Sequence, residues 1–373
     1  MRVHHIILDD RKFLHHARSF FDSPEFTNTW QEISYEETEE CGFENHSSNL
    51  DLSDLVLVHF LVPRLIDLLE EISRKKPVVI QFWGGDYVPY LSEISSTFLP
   101  RTLTYVRGSH PTKWKNWRIF QLLRRLRRHT KKMRDKRIVR ALEASSLFFT
   151  LLSEEAILFP KHIQHKHAGD VRVVYASRFL SLHERKPNRD HRQQFKVLLG
   201  NSATETNNHL DFIAPLMESN AQIKALVIPL SYGHRAYGDY IEKRYIEAFP
   251  DKCEVLKKMM PPEKYDLLLQ SIDIVVMGHL RQQGLGNVLN LLSSGKTVYL
   301  HPQSVTYAHL KRAGYIVRST SEIHTGLRPI SSDEARINSD LVFQNWDVSL
   351  NRKSVFRAFK KLLNSSSHSP ADD

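Results

Sequence analysis

At 373 residues the chain is long enough for two domains with proper cores, and 41% hydrophobic with 25% charged residues is the composition of an ordinary soluble globular protein. Its two cysteines, Cys41 and Cys253, exclude a disulfide framework and have no metal-ligand spacing, which fits a reducing compartment. The formal charge of +10 belongs to one segment: residues 113–140 hold 13 Lys or Arg and one Asp, a balance of +12 that leaves −2 for the remainder.

The N-terminus, "MRVHHIILDDRKF", has a short apolar run from Ile6 to Leu8 before Asp9 and Asp10 interrupt it, which predicts a first strand and not a signal peptide. No stretch approaches the roughly 18 apolar residues needed to span a bilayer. Further strands are predicted at 55–59, 77–82, 147–152 and 171–175, then at 196–199, 225–229, 272–277 and 297–300. Helical segments lie between them, and that alternation implies parallel sheets with helices on both faces. The polar stretch "HERKPNRDHRQQ" at 183–194 reads as a linker. The organisation expected is therefore a first Rossmann-like domain over 1–182 and a second over 195–345. A C-terminal helix follows over 346–363, marked by "VFRAFKKLL" at 355–363, and a disordered tail over 364–373.

The basic segment carries Ile119, Leu122, Leu123, Leu126 and Met133 on a helical stripe, with Trp114, Trp117 and Phe120 at its start. A cationic amphipathic helix with aromatics at one end suits the headgroup region of an anionic membrane. Trp114, Trp117, Arg124, Arg125, Arg127, Arg128, Lys131 and Lys132 are the residues expected to make that contact. The competing readings are a solvated helix packed on its domain and a nucleic-acid-binding element. The latter ranks last, because no zinc-finger spacing, RNP-like motif or helix-turn-helix pattern accompanies the charge.

Three segments of the second half carry the chemistry. After the strand at 196–199 comes a turn rich in hydroxyl, amide and imidazole groups: Gly200, Asn201, Ser202, Thr204, Thr206, Asn207, Asn208 and His209. Such a turn can donate many neutral hydrogen bonds to phosphate or sugar oxygens, whereas N-capping alone would use one or two of them. The strand at 225–229 leads to Tyr232, which is placed to stack on a base or bond a sugar hydroxyl, or else to pack in the core. The richest segment, "DIVVMGHLRQQGLGNVLNLLSSGKTVYL", is a strand, a loop with Arg281, Gln282, Gln283, Gly284, Gly286 and Asn287, a helix ended by Ser294-Gly295, and a second strand. Its glycines let the backbone approach a ligand, the helix N-terminus offers free N–H groups, and Arg281 adds a fixed positive charge. A nucleotide diphosphate is the anion expected there.

Together "LLGNSATETNNHLDFI", "VIPLSYGHRAYGDYI" and "RQQGLGNVLNLL" resemble, in order and spacing, the bacterial TDP-N-acetylfucosamine:lipid II N-acetylfucosaminyltransferases of enterobacterial common antigen assembly. The resemblance covers roughly 195–300, and "QFWGGD" at 81–86 is its main echo in the first domain. It implies a GT-B fold, two doubly wound Rossmann-like domains facing across a cleft. It also implies transfer of an N-acetylated deoxyhexose (Fuc4NAc-like) from a dTDP-sugar donor to a polyprenyl-diphosphate-linked saccharide acceptor. The enzyme would then lie peripherally on the cytoplasmic face of the bacterial inner membrane, with an anionic membrane surface and no nucleic acid among its partners.

No metal or cofactor is expected, because the chain has no Asp-x-Asp pair. Residues 278–296 contain no Asp or Glu, unlike the Glu-bearing region of many GT-B enzymes that retain anomeric configuration. Charge on a leaving diphosphate would fall to Arg281, backbone N–H groups and the helix dipole. The attacking hydroxyl would need a base, for which Asp86, at the end of the strand at 77–82, is the candidate; a helix N-cap is its plain alternative. His59, Asp9 and Asp10 sit at other strand ends and are weaker candidates. The competing classes are a sugar-nucleotide epimerase or hydrolase of the same build, which leaves the basic segment unexplained, and a non-catalytic nucleic-acid-binding protein, which leaves the three loops idle.

Overall fold

The computed structural model describes residues 1–9, 11–33, 47–62, 65–86, 97–108, 136, 138–173 and 193–366. Their contacts divide them into two compact units. One draws on Met1–Glu93, Lys113–Ser177 and Trp346–Asp373, the other on Ile94–Thr112 and Arg178–Asn345. The basic segment over 113–135 and most of the expected linker (183–192) lie outside the described residues.

The first unit is built on five strands: β1 (Arg2–Leu8), β2 (Thr27–Ile33), β3 (Leu55–His59), β4 (Val78–Gln81) and β5 (Leu147–Phe149). They pair in parallel in the order β2-β1-β3-β4-β5. β3 and β4 are near-continuous apolar runs, as strands covered on both faces must be, and Ile6, Val56, Val58, Val78 and Ile80 are almost fully buried. β2 is not anticipated by hydrophobic pattern because it is an edge strand, "TNTWQEI", whose register with β1 nevertheless runs over seven residue pairs. Of the strand expected at 171–175, residues 171–173 are described and are not a strand. The C-terminal helix, Val348–Ser366, is longer than its apolar stripe suggests and belongs to this unit, where buried Phe359 packs against Phe26 and Phe149.

The second unit has six parallel strands: β6 (Phe195–Leu199), β7 (Ile223–Pro229), β8 (Cys253–Leu256), β9 (Ile274–Met277), β10 (Thr297–Leu300) and β11 (Arg318–Ser319). Their order is β11-β10-β9-β6-β7-β8. β6, β7, β9 and β10 fall where sequence places them, give or take two residues. β8 and β11 were hidden, one a half-buried edge strand and the other only two residues long. Counted from β6 the order is the doubly wound one in which the chain first grows one way and then returns to the other side of its first strand. The reversal lies between β6 and β9, which are hydrogen-bonded neighbours. Ligands of such sheets bind outside the carboxyl ends of the strands at that point.

Residues 97–108, expected with the first domain, group with this second unit. The physical reason is local. The Asp211 carboxylate accepts from Arg101 N (2.8 Å) and Thr102 N (3.1 Å) at the start of the helix Pro100–Gly108, and Tyr105 stacks on Tyr240 at 4.7 Å.

Candidate functional site

The loops that leave β6 and β9 meet at the switch point. β6 ends at Leu199, and Gly200 turns the chain with φ +67°. A Cβ at Gly200 would fall 2.7 Å from both Asn207 Oδ1 and His209 Nε2, so glycine is required for space as well as for its left-handed backbone. Fully buried Asn207 is the hub. Its Oδ1 accepts from Asn201 N at 2.9 Å and from His279 Nε2 at 2.7 Å. Its Nδ2 donates to Ser202 O at 3.0 Å, to Thr204 O at 3.1 Å and to both hydroxyls of those residues. With only oxygens around Nδ2, the amide orientation is fixed, and His279 must carry its proton on Nε2.

Asn208 and His209 are also fully buried. Asn208 takes a left-handed conformation (φ 56°) and spends its amide on backbone groups. His209 sets Nδ1 against the Tyr237 hydroxyl at 3.3 Å, while its buried Nε2 has no hydrogen-bond partner among the described residues. Burial holds both His209 and His279 down to about 3, and Arg281 beside His279 acts in the same direction, so neither imidazole is charged at neutral pH.

On the β9 side, a Cβ at Gly278 would overlap the Phe212 ring and come within 2.6 Å of Asn207 O, so the two loops are in direct contact. Gln283 ties them together. It accepts from Thr206 Oγ1 at 2.6 Å and donates to Asn201 Oδ1 at 3.2 Å and Thr204 Oγ1 at 3.1 Å. Gln282 is buried, and Arg281 donates to its carbonyl at 3.2 Å. Gly284, φ +63°, is the N-cap of the helix Leu285–Ser293 and supplies no side-chain cap. Gly284 thus offers no side-chain acceptor to the first N–H groups of that helix, and the positive end of its dipole lies beside exposed Gly286. Buried Leu285, Val288, Leu289, Leu291 and Leu292 hold the helix in place.

The loop after β7 completes the set. Gly233, φ +108°, lies so close to the backbone of Ala203 that a Cβ would fall 2.6 Å from its carbonyl carbon. Tyr232, 51% exposed, accepts from Asn201 Nδ2 at 3.0 Å, and Asn287 Nδ2 donates to the Tyr265 hydroxyl at 3.1 Å. Three loops thus form one hydrogen-bonded surface of hydroxyls, amides and uncapped N–H groups, with Arg281 as the sole Lys or Arg of residues 278–295. That is the chemistry of an anion site.

A family model for the 4-alpha-L-fucosyltransferases, glycosyl transferase group 56, matches residues 112–316, more than half of the chain. The chain belongs to this family. It is a glycosyltransferase, and its two parallel-sheet units are those of the GT-B fold. Among similar solved structures is Anabaena Alr3699/HepE in complex with UDP-glucose, with a TM-score of 0.63 at 11% identity, covering 96% of this chain and 99% of that one. A glycosyltransferase from Rickettsia africae gives 0.62 at 8% identity, covering 97% and 98%. An alpha,alpha-trehalose-phosphate synthase (UDP-forming) from Burkholderia vietnamiensis gives 0.60 at 10%, covering 98% and 100%. At such identities the likeness speaks for the fold.

In the first unit of this group 56 glycosyltransferase, Asp86 follows β4 after Gly84-Gly85 and is buried. Its carboxylate accepts from Trp83 N at 3.0 Å and from Leu61 N at 3.2 Å, joining the loops after β4 and β3. Burial raises its pKa to about 7, although the backbone N–H groups oppose the rise. His59 is buried at the end of β3 with Nε2 2.9 Å from His5 Nδ1, and burial pushes it well below its usual range. Asp9 is exposed at the end of β1. Asp10, Trp114, Trp117, Arg124, Arg125, Arg127, Arg128, Lys131 and Lys132 lie outside the described residues. Among the described residues no helix is long and apolar enough to cross a membrane, and no three His, Cys, Asp or Glu side chains gather as a metal site.

Sequence reasoning passed over His279, Tyr265 and Asp211. His279 stands inside the Gly-rich segment, and its place beside Gly278 was the available signal. Nothing in the sequence marks Asp211 or Tyr265, whose partners lie 109 to 110 and 22 residues away.

Proposed function

We propose that this glycosyltransferase moves an N-acetylated deoxyhexose from a dTDP-sugar to a polyprenyl-diphosphate-linked saccharide, without metal, at the cytoplasmic face of the bacterial inner membrane. The observation that carries the donor half is the uncapped helix Leu285–Ser293, opening from Gly284 beside Arg281 at the switch point of a doubly wound sheet. Helix N–H groups, the dipole and one guanidinium supply the positive field that a nucleotide diphosphate needs as substrate and as leaving group. Structural likeness to a protein solved with UDP-glucose supports a nucleotide-sugar donor of some kind. The choice of dTDP and of the lipid-linked acceptor follows the resemblance of the three loop motifs and the +12 segment, which suits a membrane surface.

Within this reading the residues divide into those that meet the donor and those that hold the loops. Gly284, Gly286, Asn287 and Arg281 face the diphosphate, and Tyr232 the base or sugar. Gly200, Ser202, Asn207, Asn208 and His209 shape the loop, with Asn201, Gln282 and Gln283 at the boundary between the loops. Asp86 takes the proton of the attacking hydroxyl, its pKa of about 7 being matched to that task. Calorimetry with dTDP, UDP and GDP, each with and without EDTA, tests the proposal. Preference for dTDP that survives EDTA is the expected result, and absence of binding by all three removes the donor site from these loops.

A further inference from the structure

We propose that Asn208 and Asp211 are positioning residues that make the two site loops depend on the segment Thr97–Gly108. The proposal rests on the donor reading above only for its consequence, not for its geometry.

The Asn208 side chain is fully buried and joins three pieces of backbone. Its Oδ1 accepts from Leu99 N at 2.9 Å. Its Nδ2 donates to Gly278 O at 2.8 Å, and lies 3.2 Å from Thr97 O and 3.3 Å from Thr206 O. Gly278 is the first residue after β9, and the loop with Arg281 and Gly284 hangs from it. One amide therefore links that loop, the loop after β6 and a segment more than a hundred residues earlier in the chain. The left-handed backbone at Asn208 (φ 56°) aims the amide this way, a conformation that Asn and Gly adopt far more readily than other residues.

Asp211 secures the same segment one turn later. Its Oδ1 accepts from Arg101 N at 2.8 Å, and its Oδ2 accepts from Thr102 N at 3.1 Å and Thr102 Oγ1 at 2.7 Å. A carboxylate capping the first turn of the nine-residue helix Pro100–Gly108 satisfies its unpaired N–H groups and complements its dipole. Tyr105 then stacks on Tyr240 and packs against Tyr237, whose hydroxyl meets His209 Nδ1. Asp211 bonds to Arg101 and Thr102, and its influence on the loop after β9 travels through Asn208 and the turn they share.

In sequence this segment leads directly into the +12 stretch that begins at Lys113. A clamp of this kind ties the geometry of the nucleotide loops to the stretch of chain that precedes the cationic segment. The loops are then competent only when Thr97–Gly108 is seated.

The test uses Asn208→Gly, which keeps the left-handed backbone and deletes the amide, and Asp211→Asn, which weakens the helix cap and leaves every donor-loop contact in place. Amide hydrogen exchange is followed over 97–108, 200–209 and 278–284. We expect both variants to exchange faster by about tenfold in 278–284 as well as in 97–108. Binding of dTDP should weaken about tenfold in both, with the loss falling on the donor KM rather than on kcat. Faster exchange confined to 97–108 in Asp211→Asn, with 278–284 unchanged, overturns the proposal. If wild-type protein binds no nucleotide, the donor reading fails while the exchange comparison still decides the coupling. Should Asp211→Asn not fold, Thr102→Val removes a single bond to Asp211 and gives the same comparison at smaller amplitude.

Discussion

Asp86 illustrates how one residue's surroundings set its chemistry. A carboxylate that accepts two backbone N–H groups ordinarily falls below its usual pKa, yet burial outweighs them here and raises it to about 7. A base must be ionised to accept a proton, so activity limited by Asp86 rises with pH through about 7 and levels off above it. Asp86→Asn keeps the size of the side chain and can still accept from one of the two amides. It is expected to lower kcat/KM by roughly a hundredfold to ten-thousandfold and to flatten that limb of the profile. A variant whose limb persists near pH 7 at normal turnover would leave Asp86 only its structural task of joining the loops after β3 and β4.

Among the elements, legibility followed burial. β6, β9 and β10 are apolar runs enclosed on both faces, so composition alone located them. β2, β8 and β11 are edge or very short strands with polar or half-exposed residues, and hydrophobic pattern has no grip on those. The loops were legible for a different reason: Gly200 and Gly284 mark left-handed turns, and the polar residues after Gly200 exceed what capping needs. Their division of labour was not legible, because Asn207, Asn208 and His209 turn inward to partners up to 111 residues distant. If the cationic segment docks on a membrane surface, as proposed, its arginines set the strength of that contact. Each Lys or Arg near an anionic surface contributes about 1 kcal/mol, so changing Arg124, Arg125, Arg127 and Arg128 to Gln removes about 4 kcal/mol of attraction. Cosedimentation with vesicles containing phosphatidylserine should then drop by at least a hundredfold in affinity, while dTDP affinity in solution stays at the wild-type value. Undiminished sedimentation would move the membrane contact elsewhere.

For the whole molecule, the buried histidines make stability a function of pH. His5, His209 and His279 are held down to about 3 by burial, and His59 is also pushed well below its usual range. Each is neutral in the folded protein and takes up a proton at about 6.5 when the chain unfolds. The unfolded state binds more protons, so their contribution is complete above about pH 6.5 and is lost as pH falls below it. Asp86 runs the other way: raised to about 7, its contribution is complete below about pH 4 and is lost as pH rises towards 7. Between pH 4 and 6.5 the four histidines oppose one aspartate, which leaves a net uptake of about three protons on unfolding. Each proton is worth about 1.4 kcal/mol per pH unit, so unfolding free energy should drop by about 4 kcal/mol between pH 6 and pH 5. Urea titrations across that range measure the slope directly. His209→Gln should reduce the slope by about one proton, since it deletes one of the four groups without touching His5. A stability that stays level or climbs as pH falls would mean that these imidazoles find proton acceptors in the folded state, and the neutral network around Asn207 would have to be redrawn.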